Sequence, residues 1–468
     1  MLFSSATFLF AFLPVVALLY YLIPKRCTAA RNLFLTGASL LFYAWGEPRF
    51  VLVMLLVIVS SWLFACKIEA SAKSARKGFL LVAVSVDLTV LFVFKYLGFF
   101  TENLNRLPFV RLPVPQITLP IGISFFTFQA ISYVVDVYRG EAAQKSLWDV
   151  MLYIAFFPQL IAGPIVRYSD FADQIHNRQE SLQNWNRGGY RFAIGLGKKV
   201  ILSNNLAYVA DAAFSSVGNL SFSMAWIGAV GYSLQLYFDF SGYSDMAIGL
   251  GQMFGFHFLE NFNYPFISRS ITELWRRWHI SLGSWFRDYV YIPLGGSRCR
   301  LRRTSLNLLI VFALTGLWHG AAWQYVVFGL LHGIILCMER LGLRRALEQL
   351  PRLFRHLYTV VLLWLTLVIF GAPGLPEGLA VLKGIFTWQS GAKGYTLAAF
   401  ADTKLLLILA ASFLLCGPVQ ALCPKLKAAL YAKKAPSPAG MAGLLVLLFL
   451  GLMRVTAGTY SAFIYFQF

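Results

Sequence analysis

Charge is what this sequence has least of. Asp, Glu, Lys and Arg make up 13% of its 468 residues, and only 20 residues are acidic. Soluble domains carry about 25% charged residues, so this chain lacks the groups that would cover a water-facing surface. Cysteines number six: Cys27, Cys66, Cys299, Cys337, Cys416 and Cys423. None forms a C-x-x-C pair and none stands at zinc spacing from a histidine, so neither a disulfide framework nor a metal site is expected. The chain has no G-x-S-x-G, no P-loop and no dinucleotide fingerprint, which removes the commonest hydrolase and nucleotide-binding readings. No internal repeat and no low-complexity linker divides it, so residues 1–468 read as a single domain. No basic helix with interleaved stacking aromatics stands outside the apolar runs, which argues against nucleic acid as a partner.

What the chain has is hydrophobic length. It is 58% hydrophobic and 16% aromatic, with a mean hydropathy of +0.66. A spanning helix needs about 20 mostly apolar residues. Candidate spans run over 3–23, 31–46, 49–66, 78–98, 148–166, 190–209, 222–238, 304–320, 322–338, 356–372, 403–422 and 440–457. Several are short or interrupted by glycine. The fold class is therefore all-α, a polytopic transmembrane helical bundle of about eleven spans with re-entrant or interfacial helices.

The formal net charge of +20 is carried by clusters between these runs, as positive-inside bias requires. Lys25, Arg26 and Arg31 follow the first span, and Lys67, Lys73, Arg76 and Lys77 follow the third. Denser groups run from Arg269 to Arg303, from Arg340 to Arg355, and through Lys425, Lys427, Lys433 and Lys434. All are assigned to the cytoplasm. Met1–Ile23 carries its positive charges after the apolar run and no small-residue cleavage site, so it reads as a first span and not a cleaved signal. Both ends are expected outside, with Tyr460, Phe463, Tyr465, Phe466 and Phe468 near the outer interface. That orientation requires an even number of full crossings, so eleven spans cannot all be complete.

Residues 273–289 differ from the rest. At 100° per residue, Trp275, Trp278, His279, Leu282, Trp285, Phe286 and Tyr289 share one face, opposite Arg276, Arg277, Arg287 and Asp288. The pattern predicts a helix lying in a membrane interface, for which a peripheral role without chemistry is the simpler reading.

Of six histidines, His176 and His356 fall in polar loops and His257 near a glycine-rich turn. His279, His319 and His332 lie in apolar surroundings, where an ionisable group is costly and marks function by default. A neutral histidine satisfied by a backbone carbonyl is the ordinary alternative. Placement favours His319. Arg303 and Arg340 are both assigned to the cytoplasm, so the chain between them enters the membrane and returns. Fifteen residues of helix from Thr304 reach about 22 Å into a core of about 30 Å. Trp318-His319-Gly320 then sits at the turn of a hairpin, where a base is reachable from both sides. His332 reads as core packing. Asp239 and Asp245, in an aromatic stretch, need partners and are expected to find them among the arginines of the interfacial segment.

These residues resemble a known family. Trp318-His319-Gly320-Ala321 after an apolar helix is similar to the signature of membrane-bound O-acyltransferases. WRRWHISLGSWFRDYVYIPLGGSR at 275–298 resembles the segment before that histidine in the bacterial alginate O-acetylation branch. So do MLFSSATFLFAFLP at 1–14, FYAWGEP at 42–48, GISFFTFQAISYVVDVYRG at 122–140, FPQLIAGPIVRY at 157–168, LYFDFSGYSDMAIGLG at 236–251 and FIYFQF at 463–468. The loops 99–118 and 373–402 match nothing.

The resemblance implies a bacterial inner-membrane enzyme with tilted helices around a thin centre. It implies His319 as the active-site histidine and His279 as the second histidine of the pattern. It implies acetyl-CoA as a cytoplasmic donor and no bound cofactor. The acceptor would be an extracytoplasmic SGNH-type acetyltransferase or acceptor protein serving a polysaccharide. Chemically, a neutral imidazole accepts the hydroxyl proton as that oxygen attacks a thioester, and an acyl-histidine is also open. A D-alanyl transferase of the teichoic-acid branch shares the WHG hairpin. A polysaccharide or lipid transporter also uses broken helices, though such proteins often show a repeat.

Overall fold

The computed structural model describes residues 1–215, 220–388, 390, 396–423 and 438–457. Among them every regular element is a helix. The chain gathers into two compact units, Met1–Gly189 with Ala247–Leu259, and Tyr190–Met246 with Glu260–Phe468.

The first unit begins with a π turn, Phe8–Phe12, that runs into α1 (Leu13–Leu22). There follow α2 (Thr28–Ala44), α3 (Val51–Ala70), α4 (Lys73–Leu104), α5 (Ile123–Arg139) and α6 (Leu147–Ala155). Phe3, Phe8, Phe12, Phe42 and Phe157 interlock as an aromatic core with ring centroids 4.9–6.3 Å apart. The run at 148–166 is not one helix. It breaks after Ala155, and a short turn, Phe157–Leu160, starts with Pro158 in its first turn, where proline is tolerated.

Helix α5 was absent from the expected spans because Ser124, Thr127, Gln129, Ser132 and Asp136 dilute its hydropathy. All five are buried. Arg31 corrects the charge reading. It is buried in an ion pair with Glu180 and donates to the Ile23 carbonyl, so only Lys25 and Arg26 of that cluster remain exposed.

The second unit holds α7 (Leu182–Gly197) from Tyr190 onward, α8 (Asn204–Ser215) and α9 (Phe222–Met253) up to Met246. Then come α10 (Ile271–Trp275), α11 (Ile280–Phe286), α12 (Leu301–His319), α13 (Trp323–Met338), α14 (Arg352–Gly371), α15 (Leu375–Phe386), α16 (Thr403–Leu415) and α17 (Pro438–Thr456). Its core joins Leu236 and Phe238 of α9, Leu274 of α10, Phe328 of α13, and Leu363, Leu367 and Phe370 of α14.

Helices α12 and α13 form the expected hairpin, and glycine lets them meet. A Cβ on Gly316 would stand 3.2 Å from the Gly329 Cα and collide with the Tyr325 carbonyl. One on Gly329 would collide with the Phe312 carbonyl. Small residues at a crossing let helix backbones approach closely where lipid offers no hydrophobic drive to associate. His356 lies on α14, half-buried against the Ser268 carbonyl, and not in a loop.

Among the described residues five helices are long and apolar enough to cross a membrane: Val51–Ala70, Lys73–Leu104, Trp323–Gln349, Arg352–Gly371 and Thr403–Leu422. Phe8–Leu22 and Ala442–Thr456 are apolar but shorter. The aromatic tail from Tyr460 and the lysine cluster from Lys425 lie outside the described residues.

Candidate active site

The site is built where the expected interfacial helix fails to be one helix. α10 ends at Trp275, and the chain turns through His279, which adopts left-handed backbone angles (φ 46°) before α11 begins. Left-handed angles are uncommon for a residue with a Cβ and cluster at functional sites. The turn is imposed from a distance. Asn261 accepts the Ile280 N–H on its backbone carbonyl at 2.9 Å and the Ser281 N–H on its side-chain Oδ1 at 3.2 Å. These are donors at a helix start with no partner inside the helix.

His279 is buried. Its Nδ1 lies 3.1 Å from Asn261 Oδ1, and Phe240 of α9 stands edge-on to the ring at 4.5 Å. Its Nε2 has no hydrogen-bond partner among the described residues. Burial first, and His319 nearby second, hold the imidazolium well below the usual histidine range, so the ring is neutral.

His319 is the last residue of α12, at the hairpin turn where the sequence placed it, and it too is buried. Its ring is 6.3 Å from that of His279 and 5.1 Å from Phe370. Thus the structure brings together the two histidines that the sequence singled out.

The third apolar histidine is a strut. Trp275 Nε1–H donates to His332 Nδ1 at 3.1 Å. Indole nitrogen only donates, so His332 carries its proton on Nε2, which faces Thr366 Oγ1 at 3.0 Å. Both ring nitrogens are engaged, tying α10, α13 and α14 together as core packing. His176 and His257 are exposed.

Two cavities adjoin the pair. One of about 510 Å³ is lined by His279, Thr272, Trp275, Arg276, Arg287 and Thr315, among others. The other, of about 20 Å³, is lined by His319 with apolar neighbours including Phe240, Trp278, Phe328 and Phe370. That is near the space one water-sized group occupies. A wider hollow of about 710 Å³ between α8, α16 and α17 contains no histidine.

Asp239 and Asp245 do not pair with the interfacial arginines. Lys199 holds Asp239 at 2.5 Å, and Arg191 and Lys198 hold Asp245 at 2.9 and 2.6 Å. Their partners come from α7 and the π turn after it, because α9 packs there through Gly242, which meets Gly195, Lys198 and Lys199. Two residues at the site carried no sequence signal. Asn261 sits in an unremarkable ENFNYP loop. Glu339 is a buried carboxylate that receives Ile271 N–H at 2.7 Å, Thr272 N–H at 2.9 Å and the Tyr358 hydroxyl at 3.1 Å, capping α10.

Residues 49–375 match the family model described as MBOAT, membrane-bound O-acyltransferase family. The chain belongs to that family, and it is an acyltransferase of the membrane. It is 40% identical to the "Probable alginate O-acetylase AlgI" of Azotobacter vinelandii, with all of both chains covered. It is 36% identical to the peptidoglycan O-acetyltransferase of Helicobacter pylori over 82% of this chain and 80% of that one. A teichoic acid D-alanyltransferase of Bacillus subtilis is 28% identical over 66% of this chain and 80% of its own.

Proposed function

We propose that this chain transfers an acetyl group from cytoplasmic acetyl-CoA to an acceptor presented from the far side of the membrane, for O-acetylation of a polysaccharide. The observation that carries the reading is the buried His279–His319 pair, with one ring lining a cavity of about 510 Å³. Ligand pockets run about 300–1,000 Å³, and a thioester arm fits that range. Arg276 and Arg287 line the same cavity and suit the phosphates of the donor. The small void at His319 suits a two-carbon acyl group better than a long chain.

In the reaction, one imidazole of the pair takes the acceptor hydroxyl's proton as its oxygen attacks the thioester carbonyl, and the departing thiolate is reprotonated. No metal and no bound cofactor is required. The direct acceptor is an extracytoplasmic SGNH-type acetyltransferase or acceptor protein. The bundle has about eleven spans in the inner membrane, some of them re-entrant, with an even number of full crossings and both termini outside.

The test is transfer of labelled acetyl from acetyl-CoA in membranes holding matched amounts of wild-type and His319→Ala protein. Label moving equally in both would refute the reading. The likeness to a teichoic acid D-alanyltransferase supports one alternative, an aminoacyl donor on a carrier. It would be favoured if acetyl-CoA gave no transfer and a D-alanyl thioester did.

A further inference from the structure

Asn261 decides what His279 can do. Its Oδ1 accepts the Ser281 backbone N–H at 3.2 Å and the Ser281 hydroxyl at 2.9 Å, and its Nδ2 donates to Ser244 Oγ at 3.0 Å. A backbone N–H can only donate. Turning the amide over would set its NH₂ against that N–H, so the backbone fixes which end is oxygen. The atom 3.1 Å from His279 Nδ1 is therefore an acceptor, and Nδ1 carries the hydrogen. In a neutral ring the other nitrogen then holds the lone pair. Nε2 is buried, with no hydrogen-bond partner among the described residues, in a residue that lines the larger cavity. His332 shows the opposite outcome under the same rules, with a donor on Nδ1.

We infer that Asn261 is a positioning residue that locks His279 as its Nδ1–H tautomer, so that Nε2 accepts the hydrogen of the attacking hydroxyl and cannot donate to the thioester carbonyl. This rests on the proposed transfer reaction and assigns one of its two imidazoles. As the acceptor oxygen bonds to the acyl carbon and the C–S bond breaks, the hydroxyl proton passes to Nε2 and from there to the thiolate. Asn261 also fixes the ring's direction, because the same amide oxygen holds the start of α11.

The experiment has two readouts. ¹⁵N spectra of histidine-labelled full-length protein in lipid nanodiscs, with His279 assigned by loss of its signals in His279→Gln, report which nitrogen is protonated. The expected pattern is protonated Nδ1 and bare Nε2. A protonated Nε2 overturns the inference whatever the activity. Kinetics with acetyl-CoA form the second readout. Asn261→Leu is expected to lower kcat about 10²–10⁴-fold, as loss of a tautomer-fixing group does in hydrolase triads, with KM for the donor nearly unchanged. Asn261→Asp keeps an acceptor toward both Nδ1 and Ser281 and is expected to retain activity within about tenfold. Equal kcat in Asn261→Leu and wild type overturns the inference, and so do equal losses in both variants. If His279→Ala and His319→Ala both keep full transfer, the proposed reaction fails, while the spectrum still decides the tautomer.

Discussion

Glu339→Ala is the substitution whose cost follows most directly from the contacts. The carboxylate is buried and takes two backbone N–H groups, from Ile271 and Thr272, together with the Thr272 and Tyr358 hydroxyls. The hydroxyls can rotate to other acceptors, whereas the backbone donors cannot. Leaving a buried donor without a partner costs about 1–3 kcal/mol, so the buried Ile271 N–H costs that much and the half-buried Thr272 N–H adds less. Against a typical stability of about 5–15 kcal/mol that is a large share. The damage falls on α10, which carries Trp275 and so the bond to His332 and part of the cavity wall. Purified protein in detergent should melt several degrees lower, and transfer per milligram should fall at least about tenfold. Glu339→Gln keeps one acceptor oxygen but turns an NH₂ toward the donors, so it should fall between. A Glu339→Ala protein that melts within a degree of wild type would refute the capping argument.

Other expectations follow from the site and the packing. His319→Ala should lower acetyl transfer about 10²–10⁴-fold while melting like wild type, and His279→Ala, which removes the ring that Asn261 positions, should lower it at least as far as Asn261→Leu does. Full activity in well-folded His319→Ala protein would make that residue structural. Gly329→Ala should destabilise the α12–α13 hairpin by about 1–3 kcal/mol, the usual cost of overpacking, read as a lower melting temperature; an unchanged one would count against the crossing. In a cysteine-free background, Arg303→Cys and Leu430→Cys should resist a membrane-impermeant thiol reagent applied to intact cells. Residue 430 lies outside the described residues, and strong labelling there would reverse the orientation. Purified chain with acetyl-CoA alone should leave long polysaccharide unacetylated, and efficient acetylation would remove the need for a partner protein.

The sequence made the hairpin legible because two long apolar runs meet at a Trp-His-Gly turn between basic clusters, and every one of those signals is local. It misjudged residues 273–289 because periodicity records only which face a residue would take if the helix continued. What stops the helix is Asn261, a residue eighteen positions before His279. Helix α5 escaped notice for the converse reason. Its polar side chains are buried inside a unit, so averaging their hydropathy kept a core helix off the set of candidate spans. The partners of Asp239 and Asp245 were sought among the most basic residues of the sequence. Packing chose the nearest ones instead, on α7 and the turn after it.

Those ion pairs bear on how the chain is made. Arg191, Lys198 and Lys199 stand on one side of the pairing, and Asp239 and Asp245 of α9 on the other, with the exposed loop residue Glu260 also meeting Arg191. Either helix inserted alone would bring bare charge into hydrocarbon, at about 2.5–3.5 kcal/mol for each Asp, Lys or Arg at the centre of a span on insertion scales. Together they largely offset each other. The ribosome delivers α7 forty residues before α9, so the earlier helix would wait in a polar setting until its counter-charges emerge. The two would then leave the insertion machinery as one body, each helix carrying the other's counter-charges.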